Sequence, residues 1–184
     1  MVKKSKVEIA TRYGLVNVDA LVRAKHRVGI PFRAACALMQ MESMGKNIYG
    51  HDAGGVFNVP GEKVVTEANF QQFRRRVIEQ GETSNGVGPC QITYAGVHLA
   101  NGSRDGGFFR EMEAQHLKPW VPEDNMVFGL RLIWSSYQHN GHSWEKAGTA
   151  YNGAASYGRL FEERVHEWYH RLNPGRMSKP VKKS

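Results

Sequence analysis

The chain has 184 residues, 41% apolar and 23% charged, enough for one domain with a sizeable core and ordinary for a globular protein. No apolar run nears the roughly 18 residues of a membrane span, and two cysteines, Cys36 and Cys90, are too few for a disulfide scaffold and lack metal-ligand spacing. The formal net charge of +8, gathered partly in "MVKKSK" and "RMSKPVKKS", favours an anionic partner such as nucleic acid, a membrane surface or a wall polymer, against solvated tails as the plain alternative.

The basic N-terminus has no apolar segment behind it and does not read as a secretory signal. Asn17 is placed to cap a helix to about Val28, stopped by Gly29; a second helix runs from about Pro31 to Ser43, stopped by Gly45. Cys36 lies in it as a small hydrophobe. "NIYGHDAGGVFNVPGEKVV" reads as loop plus a small hairpin. Thr66 caps a helix to about Gln80, with Phe70, Phe73, Val77 and Ile78 inward and Arg74 to Arg76 mostly outward. "GETSNGVGPCQITYAG" is a Gly-rich turn, followed by a short helix near Tyr94 to Ala100 and a loop, "NGSRDGG". Pro122 opens a helix to about His139, with Val127, Leu130, Trp134 and Tyr137 on one face. Ser143 caps a helix ending near Tyr151, and a last helix from about Tyr157 to Leu172 turns Phe161, Val165, Trp168 and Leu172 inward. The sum is an α+β domain, mainly α-helical, with a small β region after the helix that carries Glu42. Residues 1–6 read as a basic tail, 7–175 as the domain and 176–184 as a basic tail or linker.

Three motifs compete for a function. "HEWYH", His166 to His170, matches the H-E-x-x-H pattern of zinc peptidases, with His166 and His170 as ligands and Glu167 as base. Its histidines lie away from the apolar face of their helix, and no His, Asp, Glu or Cys follows to complete the ligand set. The "RRR" helix and the positive charge suggest nucleic acid, but the aromatics fall at helix-core spacing and no nucleic-acid signature is present. Cys90 sits in a Gly-rich turn, yet nothing sets a histidine beside it as a nucleophile's base, and a structural role is the plainer reading.

Glu42 stands out differently. Ala35, Leu38, Met39 and Glu42 share a helix face, so an acid ends an apolar stripe. Such a carboxyl is either paired or held protonated by its surroundings. Asp52 follows in a Gly-rich loop, then Gln91 and Thr93 in a turn whose glycines suit close backbone approach to a ligand, then Tyr151 and Asn152 at a helix end. A semi-buried acid with these polar and aromatic groups suits a sugar site. Cutting a glycosidic bond needs one carboxylic acid kept protonated near neutral pH.

The ordered set "MES", "GVGPCQIT" and "AYNG" resembles the lysozyme-like superfamily of goose-type lysozymes and soluble lytic transglycosylases, across residues 31 to 153. The longer string "MGKNIYGHDAGGVF…VTEANF…SNGVGPCQITY…LKPWVPEDN" is similar to the muralytic domain of endolysins (lysin A) from phages of mycobacteria and related actinobacteria, over nearly the whole chain. The resemblance implies Glu42 as general acid, Ser43 as the motif serine, Gly86, Gly88 and Gln91 as a cleft-lining turn, and Tyr151 and Asn152 beside the scissile sugar. Two departures stand out: a longer stretch between Glu42 and Gly86, and Pro89 and Cys90 in place of an apolar pair. A hydrolase also needs a second group, with carboxyls about 6.5–9.5 Å apart if inverting and about 5–5.5 Å if retaining. Asp52 is the first candidate, against a turn-capping role; Glu62 and Glu67 follow, and Thr93 is placed to orient a water. A lytic transglycosylase needs no second carboxylate.

The expected function is a glycosidase, a muramidase or lytic transglycosylase, cutting the bond between N-acetylmuramic acid and N-acetylglucosamine for phage-mediated host lysis. The resemblance implies synthesis in the host cytoplasm, release through a holin-type lesion, peptidoglycan strands as partner, no cofactor or metal, no nucleic acid, no stable membrane association, and a monomer. The rivals are a zinc peptidase on His166, Glu167 and His170, and a non-catalytic wall- or nucleic-acid-binding protein.

Overall fold

The computed structural model describes residues 5–59, 61–94 and 96–174. The two basic tails lie outside them, save Ser5 and Lys6, which open a helix that the periodicity did not suggest. This helix, α1 (Lys6–Arg12), starts in a capping box: the Ser5 hydroxyl accepts from the Glu8 amide, and the Glu8 carboxylate accepts from the Ser5 amide at 2.7 Å.

Then come α2 (Val18–Val28), α3 (Phe32–Glu42), α4 (Glu67–Ile78), the two-residue strands β1 (Gly86–Val87) and β2 (Ile92–Thr93), α5 (Phe108–Ala114), α6 (Pro122–His139), α7 (Trp144–Asn152) and α8 (Ala155–Leu172). The described chain is α+β with helix dominant, and its one ladder is antiparallel, pairing Gly86 with Thr93 and Val87 with Ile92. None of its helices is long and apolar enough to cross a membrane.

Helix α3 is the central element. Ala34 to Met39 are all buried, because it packs against α8 and α2. Small residues (Ala34, Ala35, Cys36, Ala37) let neighbours approach it closely. On the α8 side the Trp168 indole donates to Gln40 Oε1 at 2.8 Å. Helix α8 turns in Phe161, Val165, Trp168 and Leu172, as its spacing predicts. Helices α7 and α8 form an antiparallel pair reversed at Gly153, whose φ of +90° favours glycine. A Cβ on Gly148 would lie 2.9 Å from Phe161 Cβ and 3.0 Å from Gly158 Cα, so the two glycines set the closeness of this pair. Helix α6 crosses α2 and α7, and its Trp134 and Tyr137 stack with Trp144 of α7.

Several expectations change. Asn17 does not cap α2 with its side chain; it takes a left-handed conformation (φ +53°) and donates Nδ2 to the Gly45 carbonyl at 2.9 Å, tying the entry to α2 to the exit from α3. The hairpin expected in 47–65 is reduced to an isolated bridge between Ile48 and Val64. Its first arm is shared: the Tyr49 amide bonds to Lys63 O, while Gly50 N bonds to Gly86 O and Gly88 N to Ile48 O. Too few successive bonds run in either direction to make a strand, and the ladder forms inside the Gly-rich turn instead. The short helix expected near Tyr94 to Ala100 does not form. Asp105 Oδ1 accepts from Val97 N and Gly107 N, and Asp105 N bonds back to Val97 O, so 97–105 folds into a tight reversal bridged at His98 and Arg104. The helix comes later, as α5. Of the three arginines of α4, only Arg75 is exposed; Arg74 pairs with Glu113 and Arg76 with Glu82.

Candidate active-site cleft

Glu42 is the last residue of α3, and the chain must leave the helix there without uncovering its end. Ser43 N and Met44 N both bond to Met39 O, Met44 takes φ +59° and Gly45 φ +81°. A Cβ on Gly45 would run into the Val16 carbonyl. The result is a sharp exit that leaves the Glu42 side chain on the wall of a cleft of about 320 Å³. That cleft is lined by Glu42, Gln91, Ile92, Thr93, Phe108, Leu132, Ser136, Ala150, Tyr151 and Asn152. Five elements thus converge: the end of α3, the Gly-rich turn, the start of α5, α6, and the end of α7.

Burial raises the Glu42 carboxyl to about 7, and a hydrogen bond from Tyr157 pulls partly the other way. That bond runs from the Tyr157 hydroxyl to Glu42 Oε1. Tyr157 is itself held in its neutral, donating form by burial first and by the neighbouring Glu42 second. One carboxyl oxygen is therefore committed and Oε2 is left for other work. Tyr157 was absent from the candidate site residues. A signal for it existed: with Phe161, Val165 and Trp168 it continues the inward stripe of α8 by one turn, and an inward phenol needs a partner.

The Gly-rich turn is held by amide side chains. Asn125 of α6, fully buried, accepts from Cys90 N at 2.9 Å and donates to Val87 O at 3.0 Å. A Cβ on Gly88 would lie 2.7 Å from Asn125 Cγ and one on Gly86 2.7 Å from Gln91 Oε1. At both positions the absent side chain makes room for a protein amide, Asn125 beside Gly88 and Gln91 beside Gly86. Gln91 (φ +47°) lines the cleft, while its Nε2 donates to Gly88 O at 2.8 Å and Ile48 O at 3.2 Å.

Ser43 stands behind the cleft wall: its hydroxyl donates to Pro89 O at 2.8 Å, linking the end of α3 to the turn. Asp52 is exposed, outside the cleft lining; its Oδ2 accepts from Gly86 N at 2.7 Å and its carbonyl from Gly55 N. That is the turn-bracing role weighed against the catalytic one. Glu62 pairs with Lys46 on the surface and Glu67 sits exposed in the first turn of α4. Thr93, exposed at the end of β2, does line the cleft, as does Asn152. The Tyr151 hydroxyl donates to Cys90 O at 2.7 Å, and its ring stacks on that of Tyr157 at 6.5 Å between centroids.

The rival motifs take structural places. His166 and His170 are exposed, while Glu167 accepts from Arg164 at 2.6 Å and from Arg171 at 3.3 Å. Among the described residues no three His, Cys, Asp or Glu side chains cluster as a metal site. Cys90 is fully buried, and its thiol is pushed up by burial and then by Glu42. Cys36 is buried in α3 as expected.

The site brings together Glu42, Gln91, Thr93, Tyr151 and Asn152 directly, with Ser43, Gly86, Gly88 and Asp52 supporting the turn. Compared with known proteins, the chain matches no family model, no curated protein and no solved structure.

Proposed function

We propose that the chain is a peptidoglycan-cleaving glycosidase of lysozyme-like character, with Glu42 as its acid. The observation that carries this reading is the Glu42 carboxyl, raised to about 7 by burial on the wall of an open cleft. A carboxylic acid protonated near neutral pH is what departure of a sugar oxygen requires. Oε1 is bonded to Tyr157, so Oε2 carries the acid proton toward the glycosidic oxygen. Gln91, Thr93, Tyr151 and Asn152 offer the polar and aromatic surface along which a glycan lies.

Among the described residues Glu42 is the only acid lining the cleft. This favours the transglycosylase route. Glu42 protonates the leaving O4 of N-acetylglucosamine while the acetamido oxygen of N-acetylmuramic acid bonds to C1. The sugar's own C6 hydroxyl then displaces that oxygen, its proton returns to Glu42, and a 1,6-anhydro ring closes. Hydrolysis is the second reading, favoured by one observation: the Thr93 hydroxyl lines the cleft and is able to orient a water.

Mass spectrometry of fragments released from purified peptidoglycan tests both. The wild type should release muropeptides, and Glu42→Gln should lower the rate at least about 100-fold. Anhydro ends identify transglycosylation; reducing ends identify water attack. A Glu42→Gln protein that cuts as fast as wild type sinks the assignment. A chelator that abolishes cutting, with Glu42→Gln unaffected, transfers the case to the zinc peptidase.

A further inference from the structure

Beside the cleft lies a second cavity of about 410 Å³. The two share Leu132 and Ser136 of α6 in their linings, so they lie side by side along that helix. Their chemistry differs. The second chamber is lined by Glu111 and Gln115 from α5 and its end, and by Arg131 and Ser135 from the next turns of α6. Arg131 Nη1 donates to the neutral amide of Gln115, not to Glu111. Among the described residues neither Arg131 nor Glu111 joins an ion pair. Its ring, Phe128, is only 2% exposed and offers no flat face for a sugar. A chamber with one free cation, one free anion and several hydrogen-bonding groups suits a ligand that bears both charges.

On the glycosidase reading, we propose that this chamber receives the peptide stem attached to the muramic sugar, with a stem carboxylate on Arg131 and a stem ammonium on Glu111. The stem branches from the lactyl ether of that sugar, beside the glycan path. A stem-binding chamber therefore has to adjoin the glycan cleft, as this one does at Leu132 and Ser136. Guanidinium and carboxylate match in geometry and charge. Both side chains are solvent-accessible, so each contact is worth a modest gain. The inference makes the protein selective for stem-bearing strands.

Initial cutting rates on purified peptidoglycan and on the same glycan stripped of stems by an amidase test it, with wild type, Arg131→Ala and Glu111→Gln. The expected result is a fall of about two- to fivefold in kcat/KM for Arg131→Ala on stem-bearing strands, less for Glu111→Gln, and no change on stripped glycan. Variants that match wild type on both substrates, or lose equally on both, overturn the stem chamber and leave the glycosidase reading standing. A wild type that frees no sugar from either substrate removes the glycosidase reading and the stem chamber with it.

Discussion

At Glu42 the burial that raises the carboxyl to about 7 acts on activity and on stability in opposite senses. For activity the protonated form is the working acid, so kcat/KM should fall as pH rises through about 7. For stability, the unfolded chain releases this proton near the ordinary value of 4.5, whereas the folded chain holds it to about 7. Unfolding is therefore favoured progressively from pH 4.5 upward and levels off above 7. Glu42→Gln removes that cost: melts should coincide with wild type near pH 4, and the variant should be more stable at pH 8 by up to about 3 kcal/mol. A variant less stable than wild type at pH 8 contradicts a buried, destabilising acid. Tyr157→Phe works on the same atom. Loss of its bond to Oε1 lets burial act unopposed, so the high-pH limb of the activity profile should move upward while stability drops by about 1 kcal/mol. An unmoved limb would show that Tyr157 does not hold the acid. Glu42 itself was legible, because an acid at the end of an apolar stripe is a local pattern. Tyr157 was not picked out, since its partner lies 115 residues away and only folding brings the two together.

At the scale of elements, the α7–α8 pair decides whether Tyr151 and Tyr157 reach the cleft. They flank its reversal, and Gly148 and Gly158 set its spacing. Gly158→Ala would thrust a methyl at the Glu145 carbonyl and 2.9 Å from Thr149 N, both backbone atoms that yield poorly. The expected cost is about 1–3 kcal/mol in denaturant unfolding, with loss of activity from displaced tyrosines. A variant with unchanged midpoint and rate would mean that the pair tolerates a wider spacing. The long helices α2, α3, α4, α6, α7 and α8 were readable from caps, breakers and apolar spacing, all local signals. The β elements were not. Strand pairing in the Gly-rich turn depends on Asn125 from α6 and on the 47–50 segment, and no local pattern reports partners so distant in the chain. Helix α5 escaped notice for another reason: seven residues hold too few repeats for a period to show.

For the whole molecule, the charge of +8 sets how it meets an anionic wall. Raising ionic strength from about 0.05 M to 0.5 M should slow digestion of intact wall on the order of tenfold. The position of the high-pH limb should stay nearly fixed, because burial rather than surface charge sets it. Salt-independent digestion would assign the charge no part in wall attraction. By itself the sequence determined the helical class, most helix limits, the acid on an apolar face, and the order of the motifs, since each is written in residues close together in the chain. Only the tertiary structure decided which groups meet. It joined Glu42 to Tyr157, took Asp52 out of the cleft lining to brace Gly86, and turned the motif glycines toward Asn125 and Gln91. Those outcomes depend on long-range packing, where a side chain's role follows from the neighbour that folding supplies.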